Sequence, residues 1–210
     1  MFGPSVWHGD PHQKTIALTF DDGPSLATSA ILEILAQYKI AATFFQCGRN
    51  VERAPDLTCA VCAGPHEVAN HSYSHPNFAL SRSSFIAGEF HRTQNAIAKV
   101  TARTPTLLRP PYGVRWFGFR EMQTRLGLTC VMWSVIGLDW KLRAREISER
   151  VLAGARGGAI VCLHDGDATR PNPDRSQTVE AVRRIVPALL ETGYHFETVS
   201  QLLCRKPLTT

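Results

Sequence analysis

Apolar and polar positions along this chain fall into two rhythms. Short runs in which nearly every residue is apolar or β-branched predict buried strands. They are "TIALTF" (15–20), "AATFF" (41–45), "EVAN" (67–70), "TLLR" (106–109), "LTCVMWS" (128–134), "AIVCL" (159–163) and "HFETV" (195–199). Between them, apolar residues recur at the spacing of a helix with one buried face. Leu26, Ile31, Leu35 and Tyr38 make one such set, Phe85, Ile86, Phe90, Ile97 and Val100 another. Val179, Val182, Ile185, Val186, Leu189 and Leu190 make a third. Gly and Pro punctuate most junctions. About seven strand–helix units predict an α/β fold with a parallel sheet, open or closed into a barrel. No internal repeat interrupts the pattern, and the polar stretch "DGDATRPNPDRS" (165–176) predicts a surface loop.

Composition narrows the picture only slightly. A length of 210 residues suits one domain, with 44% hydrophobic and 20% charged residues as in ordinary globular proteins. No apolar run is long enough to predict a membrane span. The opening "MFGPSVWHGDPHQ" lacks the basic and apolar regions of a secretory leader. As the sequence stands, a cytoplasmic location is expected, or an extracytoplasmic one if a leader is missing from this chain. The net charge of +5 comes from scattered arginines, dense only in "KLRARE" (141–146) and "VRR" (182–184). These read as solvated helix faces, and no motif points to a nucleic-acid partner. Nothing in the pattern specifies an oligomeric state.

Among six cysteines, Cys130 and Cys162 lie in apolar runs and read as small core residues. Cys59 and Cys62 have CxxC spacing but no second pair, which argues against a structural zinc site and leaves two helical thiols or a redox pair.

Chemistry gathers at the strand ends. "TFDDGP" ends the first strand, "NHSYSH" (70–75) follows the third and "RPPYG" (109–113) the fourth. "DW" (139–140) comes shortly after the fifth, and "LHD" (163–165) ends the sixth. In parallel α/β folds the C-terminal strand ends share one mouth, so these clusters predict one site. His71 and His75, with three residues between them, can face one point from a helical turn or a tight loop. Alone, HxxxH is as well read as two structural histidines, and Asp-Asp-Gly-Pro as a turn. Together, two imidazoles and a carboxylate make a donor set suited to a catalytic metal, most often zinc. One aspartate suffices for that, leaving the other as a general base. Adjacent residues of an extended segment point to opposite sides, which would divide the two carboxylates between these tasks.

The ordered set TFDDGP, HSYSH, RPPYG, DW and LHD resembles the polysaccharide deacetylases, the NodB-homology or carbohydrate esterase family 4 domain. "ATFFQCG" (42–48) and "YHFETVSQLL" (194–203) extend the likeness. The resemblance implies a lead-in over residues 1–13 and a catalytic domain over 14–210. It implies an irregular (β/α) barrel with seven or eight strands. Asp21 would be the catalytic base, oriented by Arg109, while Asp22, His71 and His75 would bind a divalent metal, Zn2+ with Co2+ or Ni2+ as alternatives. The Tyr112 backbone N–H would serve an oxyanion hole. His164 would be the general acid, with Asp139 keeping it protonated, and Trp140 and Leu163 would wall the acyl pocket. The implied reaction is hydrolysis of a linear amide: an N-acetyl group leaves an N-acetylglucosamine-containing glycan as acetate. Two other readings stand beside it, a hydrolase of a small non-sugar amide or cyclic imide, and a non-catalytic carbohydrate-binding protein. The retained Asp21 and His164 argue against the last. Pro65, Ala69 and Gly137 depart from the family pattern without removing a proposed catalytic group.

Overall fold

The computed structural model describes residues 2–204. Its strands are β1 (Thr15–Gly23), β2 (Thr43–Gln46), β3 (Glu67–Asn70), β4 (Leu107–Leu108), β5 (Thr129–Cys130), β6 (Val135–Ile136), β7 (Ala159–His164) and β8 (His195–Phe196). The helices are α1 (Leu26–Gln37), α2 (Gly48–Arg53), α3 (Pro55–Ala63), α4 (Ser83–Thr101), α5 (Phe119–Leu126), α6 (Ala144–Gly154), α7 (Ser176–Glu191) and α8 (Val199–Cys204). A short 3-10 turn covers Pro111–Gly113. The strands form one sheet in the order β5-β4-β3-β2-β1-β7-β6, with β8 added beside the start of β1, and every ladder is parallel.

The run 128–134 contains only β5, and β6 begins one residue beyond it, which raises the strand count from seven to eight. The reason is geometric. Val131 N–H still bonds Leu108 O on β4 at 2.8 Å, whereas Ser134 N–H bonds Ile160 O on β7 at 3.0 Å. The chain therefore crosses from one edge of the curled sheet to the other within a few residues and closes an irregular barrel. The opening segment fills the wedge left behind. Val6 pairs in parallel with Val131, and His8 pairs antiparallel with Ala159.

Alternation along β1 and β7 sorts the side chains into two layers. Ile16, Leu18 and Phe20 on β1, with Val161 and Leu163 on β7, face outward and pack with Ile31, Leu35, Ile185 and Val186 of α1 and α7. Ala17 and Ile160 face inward with Phe45, Leu107 and Val131. Above them the inward positions turn polar, first Thr19, then Asp21 and His164. One face of each strand thus leads from a dry barrel interior to a chemical mouth. The three helical sets lie on α1, α4 and α7, although Leu26 and Phe85, at helix starts, are exposed. The six cysteines are all free thiols. Cys130 and Cys162 are buried, Cys59 is exposed and Cys62 half-buried on α3.

Candidate active site

The end of β1 is not a simple continuation of the strand. Asp21 pairs with Phe45 of β2, but the next partner of Gln46 is Gly23, so Asp22 is an extra residue in the ladder. Its φ of 70 lies in the left-handed region. Strict alternation would send the Asp22 side chain outward, toward the layer that holds Phe20. The bulge re-aims it at the mouth instead, as bulges beside active sites do. Both carboxylates therefore serve one cleft while diverging within it. Gly23 follows because a Cβ there would collide with the carboxylate of Asp165.

Asp21 is almost fully buried and meets Arg109, which has no exposed surface at all. Arg109 Nη1 donates to Asp21 Oδ1 at 2.7 Å and to Thr19 Oγ1 at 2.7 Å. Its Nε donates to Val131 O at 3.3 Å and its Nη2 to Met132 O at 2.9 Å, while the guanidinium lies 4.0 Å from the Phe45 ring centroid. A buried charge with this many partners is satisfied, and a plain surface arginine is excluded. The other oxygen, Asp21 Oδ2, has Cys162 Sγ at 3.5 Å and His71 Nε2 at 3.8 Å.

The HxxxH segment is a loop, not a helix, held from outside by α4. The buried Glu89 carboxylate accepts Tyr73 N–H at 3.0 Å, Ser74 N–H at 2.7 Å and Ser74 Oγ–H at 3.0 Å. Asn70 Oδ1 accepts Ser72 N–H at 3.0 Å, and Asn70 Nδ2 is itself anchored on Phe90 O and Gln94 Oε1. His71 Nδ1 lies 2.8 Å from Arg109 O, which can only accept, so Nδ1 carries a proton and Nε2 is the nitrogen that faces the cleft. Nε2 of His71 lies 3.3 Å from Asp22 Oδ1, and Nε2 of His75 lies 3.1 Å from the same oxygen.

That oxygen is buried and has no hydrogen-bond partner. The donor atoms of Asp22, His71 and His75 all lie within 4.8 Å of one another. Burial opposes the Asp22 anion, yet a proton on the facing His71, with charge on His75 adding to it, holds its carboxyl well below the usual range; Asp21 and Asp22 in turn raise His71 against the cost of its own burial. Burial first, and the nearby His71 second, push His75 down to about 4, so its imidazole is neutral at pH 7. A carboxylate and two imidazole nitrogens turned on one point make a donor set that a divalent cation, taking the place of the proton between them, satisfies. The residues fit such an ion.

Across the mouth, Asp139 and His164 form a different pair. Asp139 accepts His164 Nδ1–H at 2.8 Å, the His164 backbone N–H at 2.7 Å and Thr178 Oγ–H at 2.7 Å. Burial opposes the imidazolium, but the Asp139 charge outweighs it, helped by Asp22 and Asp21, and raises His164 to about 9. Asp139 is lowered in turn: His164 and Thr178 overcome the cost of burying it. Trp140, 52% exposed, stands edge-on to His164 with ring centroids 5.1 Å apart.

Tyr112 lies in the 3-10 turn after Pro110 with φ 56, and its exposed ring meets His75 edge-on at 4.6 Å. The cleft, about 500 Å³, is lined by Asp21, Asp22, His71, His75, Tyr112, Trp140 and His164, joined by Trp133, Ile136 and Cys162. Leu163 is not among the lining residues. The alternation of β7 sends Cys162 and His164 to the mouth and Leu163 into the outer layer, where it fills the space that a side chain at Gly137 would need. The period of two, counted back from His164, was the available signal for Cys162. Glu89 and Thr178 carried no comparable signal, since each reaches the site from a distant part of the chain, whereas Asn70 stands beside His71 in the motif itself.

The family model described as polysaccharide deacetylase matches residues 8–131. The peptidoglycan-N-acetylmuramic acid deacetylase PdaC of Bacillus subtilis is 37% identical over 92% of this chain and 39% of its own length. A chitooligosaccharide deacetylase of Bradyrhizobium is 35% identical over 90% of each chain. The chain thus spans about two fifths of the length of PdaC but nearly all of the smaller relative. A crystal structure of a peptidoglycan N-acetylglucosamine deacetylase in complex with an N-oxidanyl-benzamide superposes with a TM-score of 0.89. It shares 30% identity, covering 95% of this chain and 92% of the other. Among the described residues no helix is long and apolar enough to cross a membrane.

Proposed function

The chain belongs to the polysaccharide deacetylase family, and from that premise we propose that it removes N-acetyl groups from N-acetylglucosamine-containing glycans, of chitooligosaccharide or peptidoglycan type, releasing acetate. One observation carries the reading: two adjacent carboxylates serve one cleft with different partners, Asp21 on Arg109 and Asp22 beside His71 and His75. Asp22, His71 and His75 would hold a divalent cation, Zn2+ by preference for this nitrogen–oxygen set, with Co2+ or Ni2+ as alternatives. When bound, the cation supplies Lewis acidity, polarising an acyl oxygen and easing deprotonation of a nearby water.

The remaining steps fall to protein groups. Asp21, fixed by Arg109 through Oδ1, offers Oδ2 to the proton of the attacking water. The Tyr112 backbone N–H would donate to the developing oxyanion, an interaction worth about 3 kcal/mol. His164 carries a proton at neutral pH, and with Nδ1 committed to Asp139 its Nε2–H gives that proton to the leaving nitrogen. Trp140, Trp133 and Ile136 would enclose the acyl group on the apolar side of the cleft. The exposed Tyr112 ring offers a face for a sugar.

The test is acetate release from chitooligosaccharides with and without a chelator. Release should stop on metal removal and return when Zn2+ or Co2+ is restored. Undiminished release after complete removal would contradict the metal's role, and no release from any acetylated sugar would contradict the substrate.

A further inference from the structure

Cys162 is a buried thiol at the floor of the cleft, with no part in the reaction described above. It is fully packed, yet its sulfur faces Asp21 Oδ2 at 3.5 Å and it lines the mouth together with Asp21 and His164. One donor atom from each of Asp21, Cys162 and His164 lies within 4.8 Å of the others, as is also true of the Asp22, His71 and His75 set. The free atoms are the right ones. Arg109 occupies Asp21 Oδ1 and leaves Oδ2 for another partner. Asp139 holds His164 Nδ1 and leaves Nε2 turned to the cleft, the carboxylate–histidine arrangement that supports metal-binding imidazoles.

We propose that Asp21, Cys162 and His164 form a second, weaker site for a thiophilic divalent cation, Zn2+ above all, whose filling switches the enzyme off. A sulfur–nitrogen–oxygen triad suits Zn2+ better than hard cations. The site is the weaker of the two because Arg109 and a cation at the first site both repel its occupant. Binding exchanges the protons of Cys162 and His164 for the metal, and both protons leave to solvent. Inhibition follows because Asp21 and His164 are then ligands, no longer free to accept and donate protons. That consequence rests on the roles proposed above, whereas the binding itself does not.

Cobalt titration separates the two. Metal-stripped protein receives Co2+ stepwise while absorption is recorded. The first addition should give only the ligand-field bands of an oxygen–nitrogen site. Further Co2+ should then bring a thiolate-to-cobalt charge-transfer band. That band should vanish in Cys162→Ala and Cys162→Ser, whose retained first step shows that they fold, and survive in the Cys59→Ser/Cys62→Ser double variant. In acetate-release assays, excess Zn2+ should inhibit the native enzyme, and the Cys162 variants should need at least about 10-fold more for the same fractional inhibition. A thiolate band without an oxygen–nitrogen step before it would make the Cys162 set the tighter site and overturn the ranking proposed here. No thiolate band at saturating Co2+, or one that persists without Cys162, would overturn the proposal.

Discussion

The two sides of the mouth are built from the same residue types and do opposite things with them. On the β1–β3 side, Asp22 Oδ1 faces the Nε2 atoms of His71 and His75 with no hydrogen bond to either. On the β6–β7 side, Asp139 accepts three hydrogen bonds and holds a proton on His164. The difference lies in what the second nitrogen of each histidine does. His71 spends its Nδ1–H on a backbone carbonyl and leaves Nε2 turned to the cleft, where a cation can replace its proton. His164 spends its Nδ1–H on a carboxylate, which stabilises the imidazolium. A neutral partner thus makes a metal ligand, and a charged partner makes an acid.

The largest way to disturb this comparison is at Arg109, which ties Asp21 between the two sides. Arg109→Met leaves a buried carboxylate unpaired and should cost about 3–5 kcal/mol of stability, measured by denaturant unfolding, with loss of turnover. A stable Arg109→Met protein with normal acetate release would show that the pair positions nothing. Next comes the support of the histidine loop. Glu89→Ala strands three donors and should weaken metal binding about 10–100-fold by titration, while the His164 side is unaffected.

The third change sharpens the acid side. The charged form of His164 persists below its pKa of about 9 and is lost as pH rises through it, so turnover should fall on the alkaline side. Asp139→Asn removes the charge that opposes desolvation, so the alkaline limb should move to lower pH, with a rate loss of about 10²-fold or more near neutrality. The same sign governs stability. The pair's contribution is complete below the unfolded histidine value near 6.5 and disappears as pH passes about 9. An unmoved alkaline limb in Asp139→Asn would assign the limb to another group. The smallest effect is expected at Thr178→Val, which removes one of three donors to Asp139. It should cost about 1 kcal/mol of stability and displace the limb slightly upward, because Asp139 then shares its charge with fewer partners.

Much of this was legible in the chain because it depends on local pattern. The buried runs at 15–20 and 159–163 announce β1 and β7, and Asp21, Asp22, His71, Arg109, Asp139 and His164 all stand at or just past strand ends. What was not legible depends on geometry at a distance. The bulge at Asp22 breaks the alternation that its neighbours obey, and no residue type marks it. β6 is only Val135–Ile136, too short to carry a period, and exists because the chain crosses from β4 to β7 at that point. Glu89 reads as one more polar position of α4, yet its burial under the histidine loop decides where His71 and His75 point. Leu163, which the resemblance puts on the wall of the acyl pocket, lies on the opposite face of β7. Gly137, a departure from the family pattern, is the residue that makes room for it.

The central claim is that adjacent aspartates do different work, and paired measurements of metal content and acetate release on Asp21→Asn and Asp22→Asn test it most directly. Asp21→Asn should retain its metal and lose turnover by about 10²–10⁴-fold, the range for a removed general base. Asp22→Asn should lose the metal itself, and with it the activity. Metal lost from Asp21→Asn and retained by Asp22→Asn would contradict the division of labour.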